Sequence, residues 1–490
     1  MGPRGREGGE VAAGALGLIG GRALLRSRRN VDADMSKLDA VLDTIDRNQA
    51  AALQRLADLI AIRSVSTDPA YAAECRGAAE WLKAELTGLG FQTTIRQTSG
   101  HPLVVGHARS SARDVPHVLF YGHYDVQPPD PIALWEGDPF IARVVDGRII
   151  GRGAADDKGQ LMTFVEACRA WRDNGGFPCN ISVLFEGEEE TGSPSLPTFL
   201  AEHGRDVAAD LMLVCDTSMW DRTTPAITTM LRGLLLEEVE IEAANRDLHS
   251  GLFGGAAINP IRVLARTIAD VHDKDGRIQI PDFYEGVEEL PADIAEQWRG
   301  LDFDEAQFLG DVGLSEPAGE KDRSVLEQIW ARPSCDVNGI TGGYTGKGSK
   351  TVLPAQASAK FSFRLVGKQD PERIRESFRD FVRARLPADC RAQFISHGAS
   401  GALALPFGSE ALRRARRALH AEWDKEPVLI GSGGSIPIVG SFKRDLKMDA
   451  LMIGFGLDDD RIHSPNEKYE LTSFHKGARS WARVLAALAA

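Results

Sequence analysis

Four short apolar runs, Val118 to Tyr121, Ile181 to Phe185, Leu211 to Cys215 and Leu451 to Phe455, constrain this chain more than any other feature. Each is bounded by polar residues and too short for a buried helix, so each reads as a strand covered on both faces. The segment Leu161 to Trp171 supplies a helix between the first two runs. Earlier in the chain, Leu38, Val41, Leu42 and Ile45, then Leu53, Leu56, Leu59 and Ile60, recur at helical spacings. Strands that alternate with helices predict an α/β fold, a mixed sheet covered by helices. At 490 residues the chain exceeds what one core usually serves, so it should divide into domains.

The texture changes between residues 230 and 398. LLLEEVEIEA (234–243) and ASAKFSFRLV (357–366) contain the period-2 alternation of strands with one wet face. Helical segments follow each, Pro260 to His272 and Pro371 to Leu386, and a last strand is expected over Arg391 to Ser396. This predicts an inserted α+β, ferredoxin-like unit of the split βαβ type. The expected division is therefore a disordered extension over 1–34, with Met35 as a second possible start, a catalytic domain over 35–230 and 399–490, and the insert over 231–398. The acid- and aromatic-rich stretch 281–333 carries no assigned elements.

A net charge of −13 repels phosphate backbones and anionic lipid, so nucleic acid is not an expected partner. No apolar stretch reaches the length of about 18 residues that a membrane span needs. Cys75, Cys168, Cys179, Cys215, Cys335 and Cys390 are scattered, with no C-x-x-C pair, and read as reduced residues of a cytoplasmic protein.

Metal-competent side chains fall just past the apolar runs. VLFYGHYD delivers His123 and Asp125, ISVLFEGEEE delivers Glu188 to Glu190, LMLVCD ends in Asp216, and LMIGFGLDDDRIHS leads to His463. In open α/β sheets the carboxyl ends of strands line the ligand crevice. GRGAADDKG adds Asp156 and Asp157 at a glycine-rich turn before a helix. Two imidazoles with three or more carboxylates suit Zn²⁺ or Mn²⁺, and a shared carboxylate would hold two ions about 3.5–4 Å apart. Taken singly, each piece also fits a helix cap, a hydrogen-bonded loop histidine or a solvated acid run.

Taken together, HYDVQP, GRGAADDKG, EGEEETGS, CDTS, DLHSG, GGSIPI and IHSPNE follow one another in the order and approximate spacing of the M20 family of co-catalytic metallopeptidases. The chain most resembles its carnosinase and cytosolic nonspecific dipeptidase branch, from about residue 40 to the C-terminus. That resemblance implies two divalent ions per subunit, zinc first and manganese second. His123 and Asp216 would hold one ion, Glu190 and His463 the other, and Asp156 would bridge them. Asp125 would orient His123. Thr191-Gly192-Ser193 fixes the family's Glu-Glu pair as Glu189 and Glu190, which makes Glu189 the general base for a bridging hydroxide.

The same resemblance makes the insert a lid and dimerisation domain, with His249 reaching the site of a second subunit to stabilise the oxyanion. Arg364, Ser435, His397 and Thr351 are the substrate-binding candidates. The implied activity is exopeptidase cleavage of dipeptides or short peptides with a free C-terminal carboxylate, by a homodimer. An N-acyl amino acid deacylase using the same site is the alternative, and a non-catalytic dimeric binding protein is the remote one.

Overall fold

The apolar runs form the middle of a nine-stranded mixed sheet in the computed structural model, which describes residues 36–434 and 437–490. The expected extension 1–34 lies outside the described residues. Sheet order is Gln92–Arg96, Leu103–Ala108, Asn180–Glu186, His117–His123, Leu211–Val214, Asp449–Met452, Ala226–Leu231 and Leu403–Ala404, with Val428–Ser432 beside Ala226–Leu231. The four central strands, Asn180–Glu186 through Asp449–Met452, are mutually parallel, so their carboxyl ends share one rim.

These strands are apolar throughout because each face meets its own core. Val118 and Phe120 enter a cluster with the helices Lys158–Asp173 and Leu471–Ala489, whereas Leu119 and Tyr121 enter a second cluster with the helices Leu196–Val207 and Pro437–Leu446. Strand alternation assigns successive side chains to opposite layers. In the first core Phe120 stacks on Phe164 at 3.7 Å between centroids, and Trp481 meets both rings edge-on. All six cysteines are buried and unpaired, and no helix among the described residues is long and apolar enough to cross a membrane.

A four-stranded antiparallel sheet follows the order Ser334–Gly342, Gln356–Leu365, Gly233–Glu242, Arg391–Ser400. Two helices, Pro260–Ala269 and Pro371–Arg383, contribute Leu264, Ile374 and Phe378 to a core on one face with Leu235, Val239, Phe361 and Phe363. This is the split βαβ connection expected from the alternation. Buried Glu237 stands in that core's edge, held by Arg375 Nε at 3.1 Å and Arg379 Nε at 2.8 Å.

Residues 281–333 hold three short helices, Ala292–Arg299, Glu305–Gly310 and Val325–Trp330. Trp298 and Leu326 belong to the catalytic sheet's first core, and Trp298 Nε1 donates to Leu429 O at 2.7 Å. The chain thus crosses between the two sheets four times. Two crossings lie side by side: Leu403 is in register with Leu231, Ser400 with Leu234, and a Cβ on Gly233 would stand 2.5 Å from Ser400 O. The other two are tied by Glu289, which accepts from Arg323 at 2.7 Å and Arg332 at 3.5 Å. Leu231, Pro291, Ala331 and Ala402, one from each crossing, line a single cavity of about 690 Å³.

Truncating the stacked ring at the centre of the first core should leave a void that neighbours cannot fill. Phe164→Ala is expected to cost about 3–5 kcal/mol in urea unfolding; a loss below about 1 kcal/mol would mean that the aromatic cluster does not carry this core.

Candidate active site

The rim is built by strand ends. His123 and Glu186 are the last residues of their strands, and Asp216 follows Leu211–Val214 by two residues. His123 is fully buried, and its Nε2 lies 3.0 Å from Asp156 Oδ1 and 3.8 Å from Asp216 Oδ2. His463 Nε2 lies 2.9 Å from Asp156 Oδ2 and 3.2 Å from Glu190 Oε2. Two groups that could each hold a metal ion result, His123–Asp156–Asp216 and Asp156–Glu190–His463, with donor atoms within 4.8 Å of one another. Asp156 is common to both, one oxygen facing each histidine.

Electrostatics follow from crowding acids in a buried place. Burial together with the Asp156 and Asp157 charges holds Asp216 well above the usual carboxylate range. Hydrogen bonds to Asp156 and Glu190 outweigh burial at His463 and raise it to about 10. At His123 burial pulls down, but Asp125 and Asp156 win and hold the imidazole well above its ordinary value. Three carboxylates, Asp156, Glu190 and Asp216, around two imidazoles make a strongly anionic hole, the donor set that hard or borderline cations neutralise.

The three consecutive glutamates have different surroundings. Glu188 Oε1 accepts from His101 N at 3.0 Å and fills the space where a Cβ on Gly100 would stand. Glu190 Oε2 accepts from Gln127 Nε2 at 2.8 Å and faces His463, while its Oε1 is buried with no hydrogen-bond partner among the described residues. Glu189 lies between them with its carboxylate in no hydrogen bond or ion pair among the described residues. Burial, with Asp156 and Glu190 adding, raises its pKa against the pull of His123.

Asp125 ties these parts together. Its Oδ1 lies 3.4 Å from His123 Nδ1 and accepts from Glu189 N at 3.3 Å. Its Oδ2 accepts from Ser66 Oγ at 2.6 Å and Glu190 N at 3.1 Å. Asp125 thereby orients the imidazole, through its backbone oxygen 3.2 Å from Nδ1 as well as its carboxylate, and its carboxylate holds both peptides of the glutamate pair.

Sequence reasoning gave no role to Glu467, four residues after His463 in IHSPNE. Its fully buried carboxylate accepts from Arg152 Nη1 at 2.7 Å and from the backbone N–H groups of Gly153 at 2.9 Å, Ala155 at 2.8 Å and Asp156 at 3.0 Å. The loop that carries the shared aspartate is wrapped around this one side chain. Its membership in a quoted motif was the available signal; the partners, more than 300 residues away in sequence, were not legible.

The insert candidates lie elsewhere. His249 and Thr351 are exposed neighbours at a two-residue ribbon, Leu248–His249 against Val352–Leu353, and His249 Nδ1 accepts from Gly251 N at 2.9 Å. His397 is exposed at a bulge, with Nε2 3.1 Å from Glu238 Oε2. Arg364 lies on the sheet face that the two helices leave uncovered. Among the described residues no hydrogen bond or ion pair links these four to the rim. Ser435 lies outside the described residues.

Residues 119–487 match the model of Peptidase family M20/M25/M40. The chain belongs to this family. Among its relatives, the Cys-Gly metallodipeptidase dug1 of Schizosaccharomyces pombe is 30% identical over 476 residues, covering 92% of this chain and 98% of the relative. The structure of human carnosine dipeptidase 1 superposes with a TM-score of 0.70 at 27% identity over 92% of this chain and 98% of that one. An M20 family metallo-carboxypeptidase from Sulfolobus solfataricus, Sso-CP2, gives 0.76 at 29% identity over 89% and 99%. The split catalytic sheet with an inserted α+β unit is thus the M20 architecture.

For an M20 peptidase the donor set passes a direct test of fit: Asp156 has one oxygen for each group, and Glu190 presents a buried oxygen with no partner among the described residues. Glu467 acts on the site by holding Asp156. Partners one step removed from a metal typically set about 10–100-fold of its affinity. Glu467→Gln should therefore weaken zinc binding by roughly that factor in competition with a chromophoric chelator; unchanged affinity would leave the loop held by Arg152 and strand packing alone.

Proposed function

We propose that this M20 peptidase is a di-metal dipeptidase that hydrolyses the peptide bond of dipeptides or short peptides bearing a free C-terminal carboxylate. The observation that carries the reading is Asp156, within hydrogen-bond distance of both His123 and His463 and so the natural common ligand of two ions. His123 and Asp216 would hold one ion and Glu190 and His463 the other, with zinc the expected metal and manganese the alternative. Relatives named as dipeptidases, alike over nine-tenths of the chain, support the substrate class.

When bound, the two cations supply Lewis acidity that polarises the scissile carbonyl. Glu189 takes the proton of the attacking water and returns it to the leaving amine. Its carboxylate is free of other partners among the described residues, burial raises its pKa and so favours uptake of a proton, and Asp125 fixes its backbone. Asp125 also keeps the His123 ring in place. Arg364, Ser435, His397 and Thr351 are assigned to the substrate, the arginine to its carboxylate.

His249 is assigned to the oxyanion, supplied to the site of a second copy. Its exposure, on a ribbon with no bond to its own rim, supports a homodimer in which the inserted unit 231–398 is both lid and contact. Six buried, unpaired cysteines support a cytoplasmic setting.

Glu189→Gln should abolish dipeptide turnover while the metal content of the purified protein stays the same. His249→Ala should lose turnover with the dimer intact by sedimentation, and a chelator should remove activity that added zinc restores. Hydrolysis of N-acetyl or N-succinyl amino acids but no dipeptide would replace this reading with the deacylase, and a fully active histidine variant would end the cross-subunit role.

A further inference from the structure

Arg232 is the residue at which the chain passes from one sheet to the other, between the strands Ala226–Leu231 and Gly233–Glu242. Its backbone N–H donates to Ser432 O at 3.3 Å, and its side chain turns onto the glycine loop that follows. Nε donates to Gly433 O at 3.3 Å and Nη1 to Gln328 O at 3.4 Å, both long contacts to neutral carbonyls. Nη2 makes no hydrogen bond among the described residues. The approach is close: a Cβ at position 433 would stand 2.9 Å from Nη2.

Arg364 is its neighbour. Arg364 is in register with Leu234, two residues beyond Arg232, so the two arginines stand diagonally across adjacent strands, a separation of about 7–8 Å between their backbones. Neither guanidinium has a carboxylate within ion-pair distance among the described residues. Burial and the Arg364 charge lower Arg232 to about 10, with only exposed Asp336 acting against them. Partly buried cations are ordinarily paired, as Arg375 and Arg379 are on Glu237 in the same unit. Here two that repel each other stand together.

The place of this pair gives its use. Gly433 lines a cavity of about 340 Å³ that begins at Asp216 and is walled by Trp220, Trp330 and Ile430. Neither arginine is in its lining; Arg232 meets the cavity through Gly433, so a group held by Arg232 at that loop would stand beside a space that extends to Asp216. We propose that Arg232 is a specificity-determining residue that, with Arg364, grips the C-terminal carboxylate of the substrate from the opposite side of the sheet junction. The inference rests on the dipeptidase reading and adds a residue that the motifs left out. Two planar forks suit one carboxylate, each able to give paired N–H donors. The bound anion would also remove the repulsion between the two guanidinium groups. A peptide amide, which brings no charge, would not do this.

The test uses the full-length zinc-loaded protein with L-leucine and L-leucinamide, which differ only in the group the arginines would hold. Leucine is expected to raise the melting temperature and leucinamide to do so far less. Arg232→Gln should weaken leucine binding roughly 10–100-fold, the usual effect of losing a hydrogen bond to a charged group, and leave leucinamide binding unchanged. Arg232→Lys should recover part of the loss. In parallel, kcat/KM for Ala-Leu should fall by a similar factor in Arg232→Gln, mainly through KM, while Ala-Leu amide is unaffected. Equal losses for acid and amide would overturn the proposal, because they would mean that Arg232 acts only by bracing the Gly433 loop; unchanged leucine binding would overturn it as well. A protein that cleaves no dipeptide yet still prefers leucine through Arg232 would refute the dipeptidase reading and uphold the carboxylate grip.

Discussion

The carboxylate of Glu467 is the point on which the catalytic geometry depends. A loop that must present Asp156 between two imidazoles leaves its own N–H groups without helix or sheet partners, and such groups are costly in a buried place. Glu467 satisfies three of them and Arg152 at once. Because it follows His463 by four residues, the turn that supplies one imidazole also braces the shared carboxylate. Asp125 plays the matching part on the other side, joining His123 to the glutamate pair. The metal-competent groups are thus positioned by two further acids, neither of which is needed as a ligand.

Much of this was legible because burial on both faces writes itself as an apolar run. Val118 to Tyr121 and Ile181 to Phe185 could be read as strands, and the residues just past them as a rim, without knowledge of their neighbours. The insert was legible for the opposite reason, since Leu235, Val239 and Ile241 alternate with wet positions. Residues 281–333 were not, because helices of six to eight residues such as Val325–Trp330 and Ala292–Arg299 carry too few turns for periodicity, and their anchoring contact, Trp298 on Leu429, spans 131 positions. The three glutamates were separated in sequence only through a resemblance. Their environments separate them physically: Glu188 serves the Gly100–His101 turn, Glu190 is paired, and Glu189 has no side-chain partner among the described residues.

The acid excess also takes on a finer meaning. Lys468 is surrounded by Asp459, Asp460 and Glu470, and Arg222 joins the same cluster through Asp459 and Glu470, so much of the acid run before His463 serves to hold the chain's return to the rim. At these positions part of the charge braces the chain: Asp460 and Lys468 are buried, while Arg222 and Asp459 pair at the surface.

The four crossings between the sheets bear on how the molecule can move. They come as two doublets, one a hydrogen-bonded pair of strands and the other an ion-paired strap at Glu289. A body tied at one point can swivel in any direction; a body tied at two retains a single rotation, about the line that joins them. The antiparallel doublet resists sliding, since slippage would break its register, yet a two-stranded ribbon bends readily. The insert is therefore mechanically a door on two hinges, with the cavity between the doublets as the slack that lets it turn, and its outer edge travels along one fixed arc.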